Sequence, residues 1–395
     1  MALQKPVGLV SPILFFSLYY LQGILYPSGS ILSQVSIFFF LLIGLYYYGK
    51  TALYVHKPFW VTIWLIFYLV QTASFLFSPQ AVFGTVYEAI GEVHTMDQFK
   101  SISAFMLSFC IGYVVARKSG KISNNILVSI GLIFFLLALI RYFYMLHALL
   151  SWLRVDGVTN NSGYFVVGIL PFLPFFLKRS KILAAIILVL SIVLIMFAAK
   201  RGAIVCMVAA LFFSVLFYLK ENKASMKAIL LAVVLFLGAG YLIYYAYESN
   251  EWLLSRIEFM QNEGIGGRGV AYPVLLGHWY NDTNFWTLMF GNGMAQTVTV
   301  WGNFAHNDWL ELLICNGVVG VVLYLMIFVG LFRFIYRSSL SSWVRLSAYL
   351  CMLIWFLQSL FSMGFTSMSN VEYILLLGLI VGSEKVQFKK VPCNG

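Results

Sequence analysis

Residues 182–219 read ILAAIILVLSIVLIMFAAKRGAIVCMVAALFFSVLFYL. Two apolar runs, 182–199 and 202–219, are joined by one basic pair, Lys200-Arg201. A helix needs about 20 mostly apolar residues to cross the hydrocarbon core of a bilayer. These runs are continuous, unlike the alternating segments of about 10 residues in outer-membrane barrels. The stretch therefore predicts two membrane helices joined by a tight turn. Further runs of the same kind lie at 7–27, 30–48, 58–77, 101–116, 122–146, 163–177, 228–247, 309–332, 346–365 and 370–383, which makes twelve spans. The run at 7–27 is too long for a signal-peptide core and reads as a retained first span.

Composition points the same way. Of the 395 residues, 62% are hydrophobic and 10% are charged, against roughly 45–50% and 25% in soluble domains. So few charges cannot cover a water-facing body, which excludes a cytosolic enzyme, a secreted disulfide scaffold and a disordered chain. The expected fold is an all-α polytopic membrane protein forming one integral membrane domain over 1–395. Its largest extramembrane segment is the loop 248–308, between spans nine and ten.

The net charge of +11 fits a nucleic-acid binder only until the cations are sorted by side. With the N-terminus in the cytoplasm, 18 of the 25 Lys and Arg fall on the cytoplasmic side, and of the acids only Glu221 and Glu384 join them. Every cytoplasmic connection is then positive, as the positive-inside rule requires. Both termini are cytoplasmic, and no basic patch is left for nucleic acid. Without span twelve, Lys385, Lys389 and Lys390 would break this rule. No cytoplasmic loop is large enough for a nucleotide-binding domain. The outer loop 78–100 carries Glu88, Glu92, His94 and Asp97. The loop 248–308 holds four tryptophans, suited to a membrane interface, and its stretch 251–260 (EWLLSRIEFM) reads as a short in-plane helix.

Seven cations remain outside, and three places stand out. Lys200-Arg201, in AAKRGAIV, is an outer turn with two cations and no acid. It reads as an anion site, Arg offering a fork that matches phosphate oxygens, or as long side chains snorkelling to the interface. Arg268 lies in GIGGRG (264–269), which matches G-x-G-x-x-G literally. With no strand before it and no βαβ unit after it, the dinucleotide reading fails. A flexible turn bringing backbone and Arg268 to an anion, or a plain surface turn, remains. His306 stands in FAHNDWLELLICNGVVG (304–320). Asp308 and Glu311 resemble a capping box opening span ten, which places His306 and Asn307 on a fixed turn facing the outer surface. A neutral imidazole there accepts a proton near pH 7, although most lone loop histidines are inert. Gly317 and Gly320 would let the helix pack closely on a neighbour. Arg141 and Glu372, near outer span ends, are candidate cavity residues. The remaining histidines lack a supporting pattern. The five cysteines, Cys110, Cys206, Cys315, Cys351 and Cys393, fit no metal or disulfide template and read as helix-packing residues. No D-x-D or H-E-x-x-H pattern implies a metal.

Taken together, the twelve spans, the large loop before span ten and the three marked places resemble the O-antigen ligase and O-antigen polymerase family of bacterial envelope glycosyltransferases, with a GT-C-like architecture. The family's Arg at the start of its eighth span matches Arg201. Its loop Arg, followed by an aromatic, matches Arg268 in GGRGVAY. Its His-Asn motif with following acid and glycines matches His306-Asn307 with Glu311, Gly317 and Gly320. The specific matches run from about 195 to 330, and Lys200 departs from the usual small or polar residue. The resemblance implies a metal-independent, inverting transfer at the periplasmic face of the inner membrane, without cofactor. The donor would be an undecaprenyl-diphosphate-linked glycan. The acceptor would be the lipid A core in a ligase, or a lipid-linked glycan repeat in a polymerase. Arg201, Arg268 and Lys200 would hold the donor diphosphate, His306 would be the base, and Asn307, Asp308 and Glu311 would support it. Membrane lipids and other polysaccharide-assembly membrane proteins are the implied partners. A polytopic lipid-linked oligosaccharide transporter or flippase is the rival reading, although the two halves of the chain are unlike.

Overall fold

A computed structural model of the chain describes residues 7–78, 95–120, 122–151, 161–198, 200–221 and 268–384, with five helical positions between 230 and 244. Glu88, Glu92, His94, most of span nine, the stretch 251–260, Gly264, Gly266, Gly267 and Cys393 lie outside the described residues. The described chain is helical, with no β-strand and one isolated bridge, Gln22–Tyr26. Seven helices are long and apolar enough to cross a membrane. They are α2 (Ile31–Leu53), α3 (Phe59–Leu76), α4 (Thr95–Ser119), α5 (Asn124–Ser151), α9 (Arg201–Glu221), α13 (Asp308–Arg337) and α14 (Ser342–Phe361). Shorter apolar helices are α1 (Val10–Tyr20), α8 (Lys181–Phe197) and α15 (Val371–Ser383).

The expected span at 163–177 is broken into α6 (Ser162–Val167), a 3-10 turn at Leu170–Phe172 and α7 (Leu173–Arg179). Pro171 and Pro174 are the cause, because neither has an N–H for the carbonyl four residues earlier. The run at 7–27 yields only the 11 residues of α1. Three short helices, α10 (Arg268–Tyr280), α11 (Phe285–Phe290) and α12 (Gln296–Trp301), precede α13.

The basic helix ends gather at one end of the bundle. Cations occupy the last turns of α2, α4, α7, α9 and α13, where they oppose the negative end of the helix dipole. Arg117 at the end of α4 donates to the His56 carbonyl and to the Glu384 carbonyl. Glu384 in turn accepts from Ser339, and Glu221 accepts from Ser342. The two acids assigned to the basic side are thus both bound there by serines.

α4 and α15 run side by side and nearly touch. A β-carbon at Gly112 would overlap the Leu375 carbonyl, and one at Gly378 would overlap that of Phe109. The deepest packing is aromatic, with the rings of Trp64, Phe105, Trp355, Tyr324, Phe328 and Phe365 stacked, tilted or edge-on. On the outward side of α13, Val322, Leu325, Val329, Phe332 and Tyr336 are exposed. Their spacing of three or four residues makes an apolar stripe suited to lipid.

α13 is not one rod. Gly317 has φ 61° and ψ −162° in its middle. A straight helix would hold residues 308 and 324 about 24 Å apart. Instead the Asp308 carboxylate accepts from the Tyr324 hydroxyl at 2.7 Å, and the Trp309 and Tyr324 rings lie 5.1 Å apart. The arm 308–316 therefore folds back along the arm 318–337. The reversal is sealed from outside. Asn292 N–H and Gly293 N–H donate to the carbonyls of Ile314 and Cys315, which the reversal withdraws from the helix ladder. The Gln71 amide donates to Asn316, and Ser74 to the Cys315 carbonyl.

Candidate functional site

His306 sits at the tip of the folded-back arm. Seven residues separate Gly317 from Tyr324, so the His306–Asp308 end lies about 10 Å down the other arm from the reversal. The expected place was a turn at the outer surface. The reversal at Gly317 sets that turn beside the arm 318–337 rather than at its end.

His306 has φ +51°, a left-handed conformation that costs a non-glycine residue about 1–2 kcal/mol. Its two neighbours are both held. Ala305 N–H donates to Glu311 at 3.0 Å. Asn307 accepts from the N–H groups of Trp309 and Leu310, each at 3.0 Å, and donates its own amide to the Leu360 carbonyl at 2.8 Å.

Asn307, not Asp308, is therefore the helix cap. The capping-box reading needs this correction, because Asp308 already stands inside the first turn. Asp308 is 1% exposed. Its carboxylate gathers Tyr324, the Gly364 N–H at 3.0 Å and the Phe365 N–H at 3.2 Å. It thereby ties the loop 362–370 beneath the His306 turn. Asn370 closes that loop on the Gly364 carbonyl. Glu311, 4% exposed, accepts from Thr297 at 2.7 Å and from Gln98 at 3.4 Å besides Ala305. Gly320 makes room for the side chain of Asn316 across the reversal.

Lys200 and Arg201 open α9. The Lys200 ammonium lies 5.8 Å from the centre of the Tyr164 ring. Gly202 fits beneath the Tyr164 hydroxyl and beside the Phe361 ring. Leu360, which binds Asn307, and Phe361, which borders Gly202, are consecutive at the end of α14. The structure thus brings the Lys200-Arg201 turn and the His306 turn to one helix end.

Arg268 is the first residue of α10, and its side chain lies outside the described part. Two turns on, Leu275 packs with Ala305, Leu310 and Ile314 in a separate apolar cluster with Trp279 and Trp301. α10 therefore lies against the His306 turn.

Arg141 donates to the Gln22 carbonyl at 2.9 Å and lies over the rings of Tyr20 and Tyr144. Glu372 is fully buried, with its carboxyl against Gly168 and no hydrogen-bond partner among the described residues. Tyr20 lies within electrostatic range of both. Cys110, Cys206, Cys315 and Cys351 are buried free thiols. Among the described residues no three His, Cys, Asp or Glu side chains group as metal ligands.

Sequence reasoning missed Thr297, Gln98, Tyr324 and Leu360. Each reaches the site from another segment, and none stands in a local pattern that marks it.

No protein-family model matches the chain, and no curated protein matches it either.

Proposed function

We propose that this chain is a membrane-embedded, inverting, metal-independent glycosyltransferase of the O-antigen ligase and polymerase kind. It moves a glycan from undecaprenyl diphosphate to a sugar hydroxyl at the periplasmic face of the bacterial inner membrane. The observation that carries the reading is the His306 turn, held left-handed by Glu311 on one side and Asn307 on the other, at the same helix end as Arg201.

In the reaction, His306 takes the proton of the acceptor hydroxyl. The acceptor oxygen attacks the anomeric carbon from the face opposite the leaving group. The bond from that carbon to the diphosphate oxygen breaks, and the electron pair leaves with the diphosphate. Arg201, Lys200 and Arg268 stabilise the growing negative charge, which preorganised cations do best where water is excluded. Asn307, Asp308 and Glu311 hold the base in place. The lipid diphosphate supplies the energy, so no nucleotide is needed.

The test is transfer by purified protein from undecaprenyl-diphosphate glycan, offered both lipid A core and a lipid-linked repeat as acceptors without added metal. Product size separates ligase from polymerase. His306→Ala is expected to fold and lose turnover. Full activity in that variant, or an absolute metal requirement, would sink the mechanism. The broken helix at 162–179 favours a second reading, a lipid-linked oligosaccharide transporter or flippase, since such proteins use interrupted helices. That reading expects His306→Ala to keep its transport.

A further inference from the structure

One face of α10 carries Val274, Gly277 and His278 and continues into Asn281 and Asp282 just beyond its end. With Val300 of α12 opposite, these residues line an open groove. The spacing of three and four residues places them on one stripe, and the Asn281 N–H still bonds the Gly277 carbonyl at 3.0 Å. Half of the stripe is apolar. The other half offers an amide, a carboxylate and an imidazole, and none of the lining residues is a Lys or Arg. That mixture does not suit an anion, which needs cations, or an acyl chain, which needs an apolar slot. It suits a sugar chain, whose ring faces lie on Val274, Gly277 and Val300. Its hydroxyls bond the polar groups of His278, Asn281 and Asp282.

Position adds a second argument. Arg268 starts the same helix, nine residues and about 14 Å before Gly277. Leu275, between them, packs against Ala305 beside His306. Along α10, Arg268 therefore comes first, and the groove opens from Val274 onward, alongside the contact that Leu275 makes beside His306. That spacing matches a few linked sugars.

We propose that this groove binds the glycan chain beyond the reacting sugar, and that it selects substrates by length. The inference rests on the transfer reaction and the role of Arg268 proposed above. Gly277 offers a clean test, because a β-carbon there meets no heavy atom within 4 Å. A tryptophan can fill the groove while the fold is kept, and Gly277→Ala is the control.

The full chain in lipid nanodiscs is given undecaprenyl diphosphate carrying either the organism's full repeat or only its first sugar, each with long and short acceptors. Gly277→Trp is expected to lose at least tenfold in rate with the long glycan and to keep its rate with the short ones. Gly277→Ala keeps both. Whether the loss follows donor or acceptor length identifies whose glycan occupies the groove. Unchanged rates with long glycans on both substrates overturn the proposal, as does an equal loss with the short ones. If the wild type transfers nothing, the transfer reading fails separately. The groove is then judged by NMR line-broadening of the free repeat oligosaccharide. Broadening by wild type that Gly277→Trp abolishes supports the groove, and its absence with wild type overturns it.

Discussion

His306 is the residue whose backbone carries the strain of the site. Its left-handed φ should make His306→Gly more stable than His306→Ala by about 1 kcal/mol, which thermal unfolding in detergent measures. Equal midpoints would show that the turn stores no strain. Glu311 accepts from the Ala305 N–H, the Thr297 hydroxyl, the Gln98 amide and the Cys315 thiol. A glutamine there gives up the charge that strengthens these bonds and makes its partners turn to accept from its NH₂. Glu311→Gln is therefore expected to fold, lose about 1–3 kcal/mol of stability and transfer at least tenfold more slowly per folded molecule. Wild-type turnover in that variant would remove Glu311 from the positioning of His306. The motif around His306 was legible because its residues are neighbours in the chain. The roles within it were not. Asn307 and Asp308 are adjacent and both suited to capping, and only the partners at 324, 360, 364 and 365 show which one does it.

At the scale of the element, α13 shows where hydropathy reading stops. The apolar run 309–332 was visible, and so was Gly317. A hydropathy window averages over a reversal, because both arms are apolar and the total length still suits a span. The reversal depends on one glycine in a conformation that is essentially closed to other residues. A β-carbon at Gly317 would also overlap the Met289 backbone. Gly317→Ala is therefore expected to abolish folded protein, read as loss of the monodisperse peak on size exclusion. A well-folded Gly317→Ala with full activity would mean that α13 tolerates a different path. The broken helix at 162–179 was more legible in principle, since Pro171 and Pro174 stand in the run, but the apolar count outweighed them.

For the molecule as a whole, the positive-inside sorting of charges carries most of the orientation. The described contacts place Lys57, Arg117, Glu221, Arg345 and Glu384 around one end, the pattern expected of a bundle whose basic end stays in the cytoplasm. A cysteine introduced at Asn281 is then expected to react with a membrane-impermeant maleimide in spheroplasts, and one at Lys57 only after lysis. The opposite pattern would invert the proposed orientation. The all-α membrane class and the apolar runs of the long helices could be read from composition and run length. The helix end that the Lys200-Arg201 turn and the His306 turn share could not. It depends on α14 ending between them, and nothing in residues 346–365 announces that its last two positions serve both turns.

The folded-back arm also has a consequence for how the protein is made. Its segment DWLELLICN carries two acids, which resist entry into a membrane until they find partners. The partners of Asp308 include the N–H groups of Gly364 and Phe365, synthesised more than fifty residues later. During translation the arm 318–337 can insert as an ordinary span of 20 residues, while the arm 308–316 waits at the interface. The site is therefore assembled last and from behind. A nascent chain halted before residue 364 would leave the Asp308 carboxylate without these two N–H partners.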